Sequence, residues 1–222
     1  MNDSQSKRYK QIYDQFISRF YDKGLKIGLT PSGEKILRWS VFKTISPYIK
    51  RGDSILDLCC GTGTLTVLLT KLFYDDCAII GADISRGQIA QAQKKNNYPN
   101  LKFLVMDANN LQFNNESFDK ILISAALHEM DKNQRLNVLS EVYRVLKKNG
   151  YFLIFEHHEP SKIFYRILYN FYLGFWEKLL SYSSETLRSI LMELNNSGFK
   201  ILSQIPVKKF HYFFQIILCK KC

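Results

Sequence analysis

Asp57-Leu58-Cys59-Cys60-Gly61-Thr62-Gly63-Thr64 follows the apolar pair Ile55-Leu56 and precedes leucines at 65, 68, 69 and 72. An apolar run, a Gly-x-Gly turn and leucines at helical spacing form the front edge of a nucleotide-binding crevice. Glycines let the backbone approach a ligand, and a helix start offers free N–H groups. Asp83 stands twenty residues after Gly63, at the end of the apolar run Ala78-Ile79-Ile80-Gly81-Ala82. An acid there can accept hydrogen bonds from both ribose hydroxyls of a nucleoside. A dinucleotide site wants a third glycine at position 66, where this chain has Thr66. Asp57, an acid inside the strand itself, suits a cationic ligand better than a pyrophosphate. S-adenosylmethionine, a nucleoside with ammonium and sulfonium charges and no phosphate, is such a ligand.

Two further stretches could carry chemistry. Ser124-Ala125-Ala126-Leu127-His128 ends a fourth apolar run, and its small residues leave room for a cofactor and an acceptor. Glu156-His157-His158-Glu159 ends a fifth. Both lie where an open parallel sheet binds ligands, at the carboxyl ends of its strands. His128, His157, His158 and Tyr21 are the candidate bases, needed only where an acceptor carries a proton. Adjacent strand residues point to opposite faces, so His157 and His158 cannot easily share one ion. No metal is expected.

The segment from Asp57 to Thr64 resembles the first motif of the class I S-adenosylmethionine-dependent methyltransferases, with Asp83 at the position of their ribose-binding acid. Met106-Asp107-Ala108, the strand from Ser117 to Ile123, and Leu139-x-Glu141-Val-Tyr-Arg144-Val145-Leu146-Lys147-Lys148-Asn149-Gly150 are similar to the family's later motifs. The likeness spans roughly residues 40 to 158. It implies that Asp107 and Ala108 bind the adenine. The cofactor set is then Asp57, Cys59, Gly61, Gly63, Asp83, Ile84, Asp107, Ala108 and Ser124. It also implies a histidine at the position of His128 and Tyr21-Asp22 turned toward the site; with His157, at the end of the fifth run, these make the catalytic candidates His128, His157 and Tyr21. Tyr21-Asp22 upstream of Arg38-Trp39, and Tyr169-Asn170-Phe171-Tyr172, resemble stretches of the ubiquinone and menaquinone C-methyltransferases. The chain departs from that group after Tyr172.

The elements that must position these residues read off the pattern. Apolar positions at helical spacing predict helices over residues 8–23, 32–49, 86–96, 133–146 and 185–195, the third capped by Ser85. Short apolar runs predict strands at 55–58, 78–82, 102–105, 118–124, 151–155, 199–205 and 211–218. The expected fold is α/β and Rossmann-like. It has a seven-stranded, mostly parallel sheet with an antiparallel last strand, and helices on both faces. Residues 1–50 are expected to form a helical lid over a core of residues 51–222. An aromatic substrate-side insertion, 160–182, interrupts that core.

Composition narrows the setting. The chain has 222 residues, 46% of them hydrophobic, which suffices for one well-packed domain. No run is long enough to cross a bilayer and the polar start lacks a signal core, so a cytoplasmic protein is expected. Five cysteines argue against a disulfide framework. Cys219-x-x-Cys222 reads as a frayed tail. The net charge of +11 is spread over scattered lysines, which leaves nucleic acid disfavoured as a partner. The dense aromatics of 163–176 suggest an apolar small-molecule acceptor and peripheral membrane contact. The expected activity is methyl transfer to a small apolar acceptor, of quinone-precursor or lipid-like type. The alternatives are a nucleic-acid methyltransferase and a non-catalytic S-adenosylmethionine-binding or partner-binding module. An Asn-Pro-Pro-Tyr-type motif after the fourth strand would favour base methylation, and Ser124-Ala125-Ala126-Leu127 stands there instead.

Overall fold

Strand β1, Ser54–Leu58, is buried on both faces and lies inside the sheet, third of seven strands. Ile55 packs to one side and Leu56 and Leu58 to the other, all fully buried. A strand covered on both sides cannot alternate apolar with polar residues, which is why 55–58 reads as a nearly continuous apolar run. The computed structural model describes residues 31–73, 76–158, 163–170, 189–207 and 214–222. The expected helix 8–23 lies outside the described residues, and so does Tyr21. Most of the 160–182 insertion lies outside them as well, and so do residues 185–188 of the expected helix 185–195.

Seven strands form one sheet in the order β3-β2-β1-β4-β5-β7-β6. They are β1, β2 (Ala78–Asp83), β3 (Leu101–Val105), β4 (Phe118–Ser124), β5 (Leu146–His157), β6 (Phe199–Pro206) and β7 (Phe214–Lys221). The first five run parallel, and β7 is antiparallel to both β5 and β6. The expected architecture is therefore present. The strand order reverses between β1 and β4, and the ligand crevice of such a sheet opens at that point.

Among the described residues the helices are α1 (Pro31–Ile45), α2 (Thr64–Leu72), α3 (Arg86–Lys94), α4 (Lys132–Val145), α5 (163–170) and α6 (Ile190–Asn196). α1 ends sooner than expected: a 3-10 turn, Ser46–Tyr48, carries Pro47 near its start. α3 is capped by Ser85, whose side chain accepts from the Gln88 N–H, as its sequence suggests. α4 opens with a capping box between Asp131 and Gln134. Its face of Val138, Leu139, Val142 and Val145 covers one side of the sheet, while Val41 and Ile45 of α1 and Leu65 and Leu69 of α2 cover the other.

Two boundaries differ from expectation. β5 begins at Leu146 and ends at His157, longer at both ends than 151–155. Its extra residues are held by register with neighbours: Glu156 opposes Gln215 and His157 opposes Phe214 on β7. The chain end is not frayed either. Residues 219–221 belong to β7, Cys219 is fully buried, and the Lys221 ammonium donates to the Leu146 carbonyl at 2.7 Å.

Candidate active site

The β1–α2 turn carries two left-handed glycines, Gly61 and Gly63, preceded by Cys59, which also has positive φ. Gly63 caps α2 and is there for packing. A Cβ built on it would lie 2.5 Å from the Phe103 ring and 2.8 Å from Ala92. Gly61 is different, since nothing lies within 4 Å of its Cβ position. That open side is where a ligand can meet the backbone.

The turn is fastened to the end of β2. The Cys60 N–H donates to the Ala82 carbonyl at 3.0 Å, and the Gly61 N–H to Asp83 Oδ2 at 2.9 Å. Asp83 Oδ1 accepts from the Ser85 N–H, also at 2.9 Å. Each carboxylate oxygen has two lone pairs, so such a group can accept several bonds at once. Ile84 follows, half-buried. The Met106 N–H donates to the Asp83 carbonyl and brings the end of β3 alongside. Asp107 there accepts from the Asn109 backbone and side chain through Oδ1, both at 2.9 Å, and Ala108 is buried behind it.

Asp57 is the buried charge of the site. Thr66 of α2 donates to its Oδ2 at 2.6 Å, while Oδ1 is sealed from solvent with no partner. Burial pushes its pKa from 3.8 up to about 6, against the pull of Thr66 and Arg38. A buried acceptor without a partner is costly, and a cationic group placed beside it would remove that cost. The residue that excludes a dinucleotide turn, Thr66, is thus the one that orients this acid. S-adenosylmethionine fits these residues. It brings a cation for Asp57, hydroxyls for Asp83 and no phosphate.

At the ends of β4 and β5 lies a second polar group. Ala125 turns out of β4 with positive φ, and its N–H donates to the Phe155 carbonyl at 2.8 Å. This turn carries His128 to the end of β5, where its Nδ1 lies 2.7 Å from Glu156 Oε1. Glu156 is fully buried and further accepts from the Leu127 N–H through Oε2 and the His157 N–H through Oε1, each at 2.9 Å. Burial alone would neutralise both partners. The mutual attraction outweighs it, raising the His128 pKa and lowering that of Glu156, so the pair is an ion pair at neutral pH. The His157 ring meets that of His128 edge to face at 4.6 Å. Burial and the His128 charge keep His157 neutral.

The methyltransferase-domain family profile matches residues 55–150. A demethylmenaquinone methyltransferase of Staphylococcus saprophyticus is 30% identical over 178 residues, covering 79% of this chain and 74% of that one. That of Lactobacillus johnsonii is 36% identical over 159 residues, 68% of this chain and 63% of the other. The chain belongs to the S-adenosylmethionine-dependent methyltransferases. In fold it is similar to a SAM-dependent methyltransferase from Aquifex aeolicus (TM-score 0.68, 17% identity, 90% and 98% of the two chains). Geranyl diphosphate C-methyltransferase from Streptomyces coelicolor is a further structural neighbour (TM-score 0.66, 10% identity, 82% and 75%).

In this methyltransferase the expected cofactor residues gather on one edge. Asp57, Cys59, Gly61 and Gly63 stand at the end of β1, Asp83 and Ile84 at β2, Asp107 and Ala108 after β3, and Ser124 at the end of β4. The Cys59 and Cys60 thiols are pushed well up by burial and so stay protonated. His128, in the 3-10 turn Leu127–Glu129 after β4, and His157, at the end of β5, come together. His158 follows β5 beyond them. Tyr21 lies outside the described residues. Two site residues escaped the sequence reading, Thr66 and Glu156. The signal for each was present: a polar residue at a position otherwise fit for packing.

Proposed function

We propose that this methyltransferase transfers the methyl group to a small, largely apolar acceptor bearing an ionisable hydroxyl, of the quinone-precursor or lipid-like class. The observation that carries the reading is the juxtaposition of two groups on one sheet edge: the Gly61–Asp83 cradle, and the His128–Glu156 pair two strands away across β1 and β4. The names of the demethylmenaquinone methyltransferase relatives support the acceptor class. So does the apolar character of α5, where Ile163, Phe164 and Ile167 are more than half exposed beside the buried Tyr169.

Asp57 faces the ammonium of the cofactor and Asp83 its ribose. Ile84, Asp107 and Ala108 surround the adenine. Cys59, Gly61, Gly63 and Ser124 supply backbone and wall. S-adenosylmethionine supplies a methyl group already activated by sulfonium. The remaining task is alignment and exclusion of water, which can contribute roughly 7–11 kcal/mol at the best-oriented limit. His128, held by Nδ1 on Glu156 and protonated at neutral pH, would donate from Nε2 to the acceptor oxygen and stabilise its ionised form, the hydroxyl proton passing to water. His157 lines the same edge.

The test is release of S-adenosylhomocysteine on incubation with demethylated quinols, simple phenols, long-chain amines and single-stranded RNA. Turnover on quinols or phenols, with at least a roughly hundredfold loss of kcat in His128→Ala, is the expected result, in line with a positioned acid–base group. Turnover on RNA alone, or binding of S-adenosylhomocysteine without turnover on any acceptor, overturns the reading.

A further inference from the structure

His128, Glu156 and His157 do more than line a wall. One ring nitrogen from each histidine and one carboxylate oxygen all lie within 4.8 Å of one another. We propose that these three side chains form a binding site for one divalent transition-metal cation of borderline softness, of the Zn2+ or Fe2+ kind. The sequence argument against a metal concerned the neighbours His157 and His158. The fold supplies a different second histidine, His128, from the 3-10 turn that follows the adjacent strand β4.

Four observations support the site. The donor set is two imidazoles and one carboxylate, a combination that suits Zn2+, Fe2+ or Mn2+ and leaves open positions, whereas Mg2+ prefers oxygen ligands. His157 Nδ1 is sealed from solvent and makes no hydrogen bond. A buried imidazole nitrogen without a partner is costly, and a cation would satisfy it. The two rings stand edge to face at 4.6 Å. Imidazoles bound through 2.0–2.1 Å bonds have their centres about 4.5 Å apart at right angles and about 5 Å apart at the tetrahedral angle. Finally, the carboxylate is already fixed from behind, by the N–H groups of Leu127 and His157 at 2.9 Å. Outer partners of this kind orient the ligands of metal sites.

The arrangement needs a small adjustment. His128 Nδ1 and Glu156 Oε1 are 2.7 Å apart across a proton. Two donors on one ion at right angles stand about 3 Å apart. The cation would replace that proton, and His157, itself half-buried, would turn toward it. The orienting N–H bonds to Glu156 stay in place. What the cation would do rests on the acceptor reading above. It would bind the acceptor's hydroxyl oxygen and lower its pKa, the hydroxyl proton passing to water. No change of oxidation state is involved.

The test is calorimetric titration of untagged full-length protein with Zn2+, repeated by visible absorption with Co2+ as a spectroscopic stand-in and with Mg2+ as the control. One Zn2+ per chain is expected, with Co2+ bands of nitrogen and oxygen coordination and no heat from Mg2+. His157→Ala and His128→Ala should each weaken Zn2+ binding by at least the roughly tenfold that loss of even an outer-shell partner costs. His158→Ala and Cys222→Ser should leave it unchanged. S-adenosylhomocysteine affinity of each variant reports that the fold is kept. Absence of Zn2+ binding, or equal binding by wild type and both cluster variants, overturns the proposal. Quinol methylation that survives chelation in a chain that binds no Zn2+ would overturn this site and leave the methyl-transfer reading standing. Zn2+ binding without methyl transfer would do the reverse.

Discussion

Lowering the pH from 7 to 5 should weaken S-adenosylhomocysteine binding about tenfold, through Asp57. This carboxylate is buried, with one oxygen on Thr66 at 2.6 Å and the other without a partner. Burial is the largest influence and raises its pKa to about 6. With that value the group is about nine-tenths ionised at pH 7 and about one-tenth ionised at pH 5. The ammonium of the ligand stays charged throughout this range and favours the ionised form. Binding then selects the carboxylate, and affinity follows its population: flat above pH 7, bending near pH 6, and falling toward tenfold per pH unit below. Each decade corresponds to about 1.4 kcal/mol.

The same shift acts on unliganded stability with the opposite sign. The folded pKa, about 6, lies above the ordinary value of 3.8, so the folded chain holds the extra proton between these values. This contribution is fully present below about pH 3.8 and lost as pH rises through 6. Its size is about 3 kcal/mol. Other acids work against it in the whole-protein curve, so the informative quantity is the difference between wild type and Asp57→Asn. The carboxamide can still accept from Thr66 but does not titrate. Calorimetric titration at half-unit steps from pH 5 to 7.5, on both proteins, reads the effect. The variant should bind weakly with no slope. A wild-type affinity flat across pH 5 to 7, or a variant with the wild-type slope, refutes the role of Asp57.

Two further outcomes follow from buried carboxylates. Asp83→Asn turns an amide donor toward the N–H of Gly61 or Ser85 and removes one ribose acceptor. It should weaken S-adenosylhomocysteine by about 1.5–3 kcal/mol, the range for a hydrogen bond to a charged group, and equal affinity by calorimetry would rule out the ribose contact. Arg135, which is 2% exposed, donates to Glu193 through Nε and Nη2, both at 2.9 Å, and to the Met130 carbonyl at 2.8 Å. Arg135→Met leaves Glu193 buried without a cationic partner and should cost about 3–5 kcal/mol in urea unfolding, most of it regained in the double variant with Glu193→Met. Burial pushes the Glu193 pKa up, but bonds from Arg135 and Ser189 outweigh this and hold it below 4.5. The stabilisation is therefore present above pH 4.5 and fades as pH falls through the lower folded value. A single-variant cost under about 1 kcal/mol would contradict the pairing.

The cofactor half of the site was legible in the sequence because local rules and the fold agree there. β1 and β2 are buried on both faces, so their apolar runs stand out, and each is followed at once by a residue with a chemical task. Gly63 must be glycine for a packing reason and Gly61 for an approach reason, yet both leave the same mark. Asp83 had to end a strand beside that turn for the cofactor reading to hold, and its bond to the Gly61 N–H places it there. Thr66 was legible only as the absence of a glycine. Its bond to Asp57 depends on α2 packing over β1, a contact that no window along the chain displays.

The acceptor half was hidden for a different reason. Glu156-His157-His158-Glu159 is polar enough to read as a loop, and by itself it would be one. β5 extends through Glu156 and His157 because β7 runs antiparallel beside it, and β7 in turn continues to Lys221 because β5 and β6 flank it. Strand length at this edge is a tertiary property. A fully buried glutamate is tolerated there because two backbone N–H groups and an imidazole converge on it. None of these donors is within five residues of Glu156 except its own neighbour. The long-range pairing that lengthens β5 is what brings the carboxylate to His128, and it converts an unremarkable polar tail into a buried ion pair at the sheet edge. Predictions about the chemistry of this half therefore depend on the β5–β7 register. Those about the cofactor half depend on the β1–α2 turn, the packing of α2 and the end of β2, so the pH titration of Asp57 and the metal titration of His157 probe independent parts of the same site.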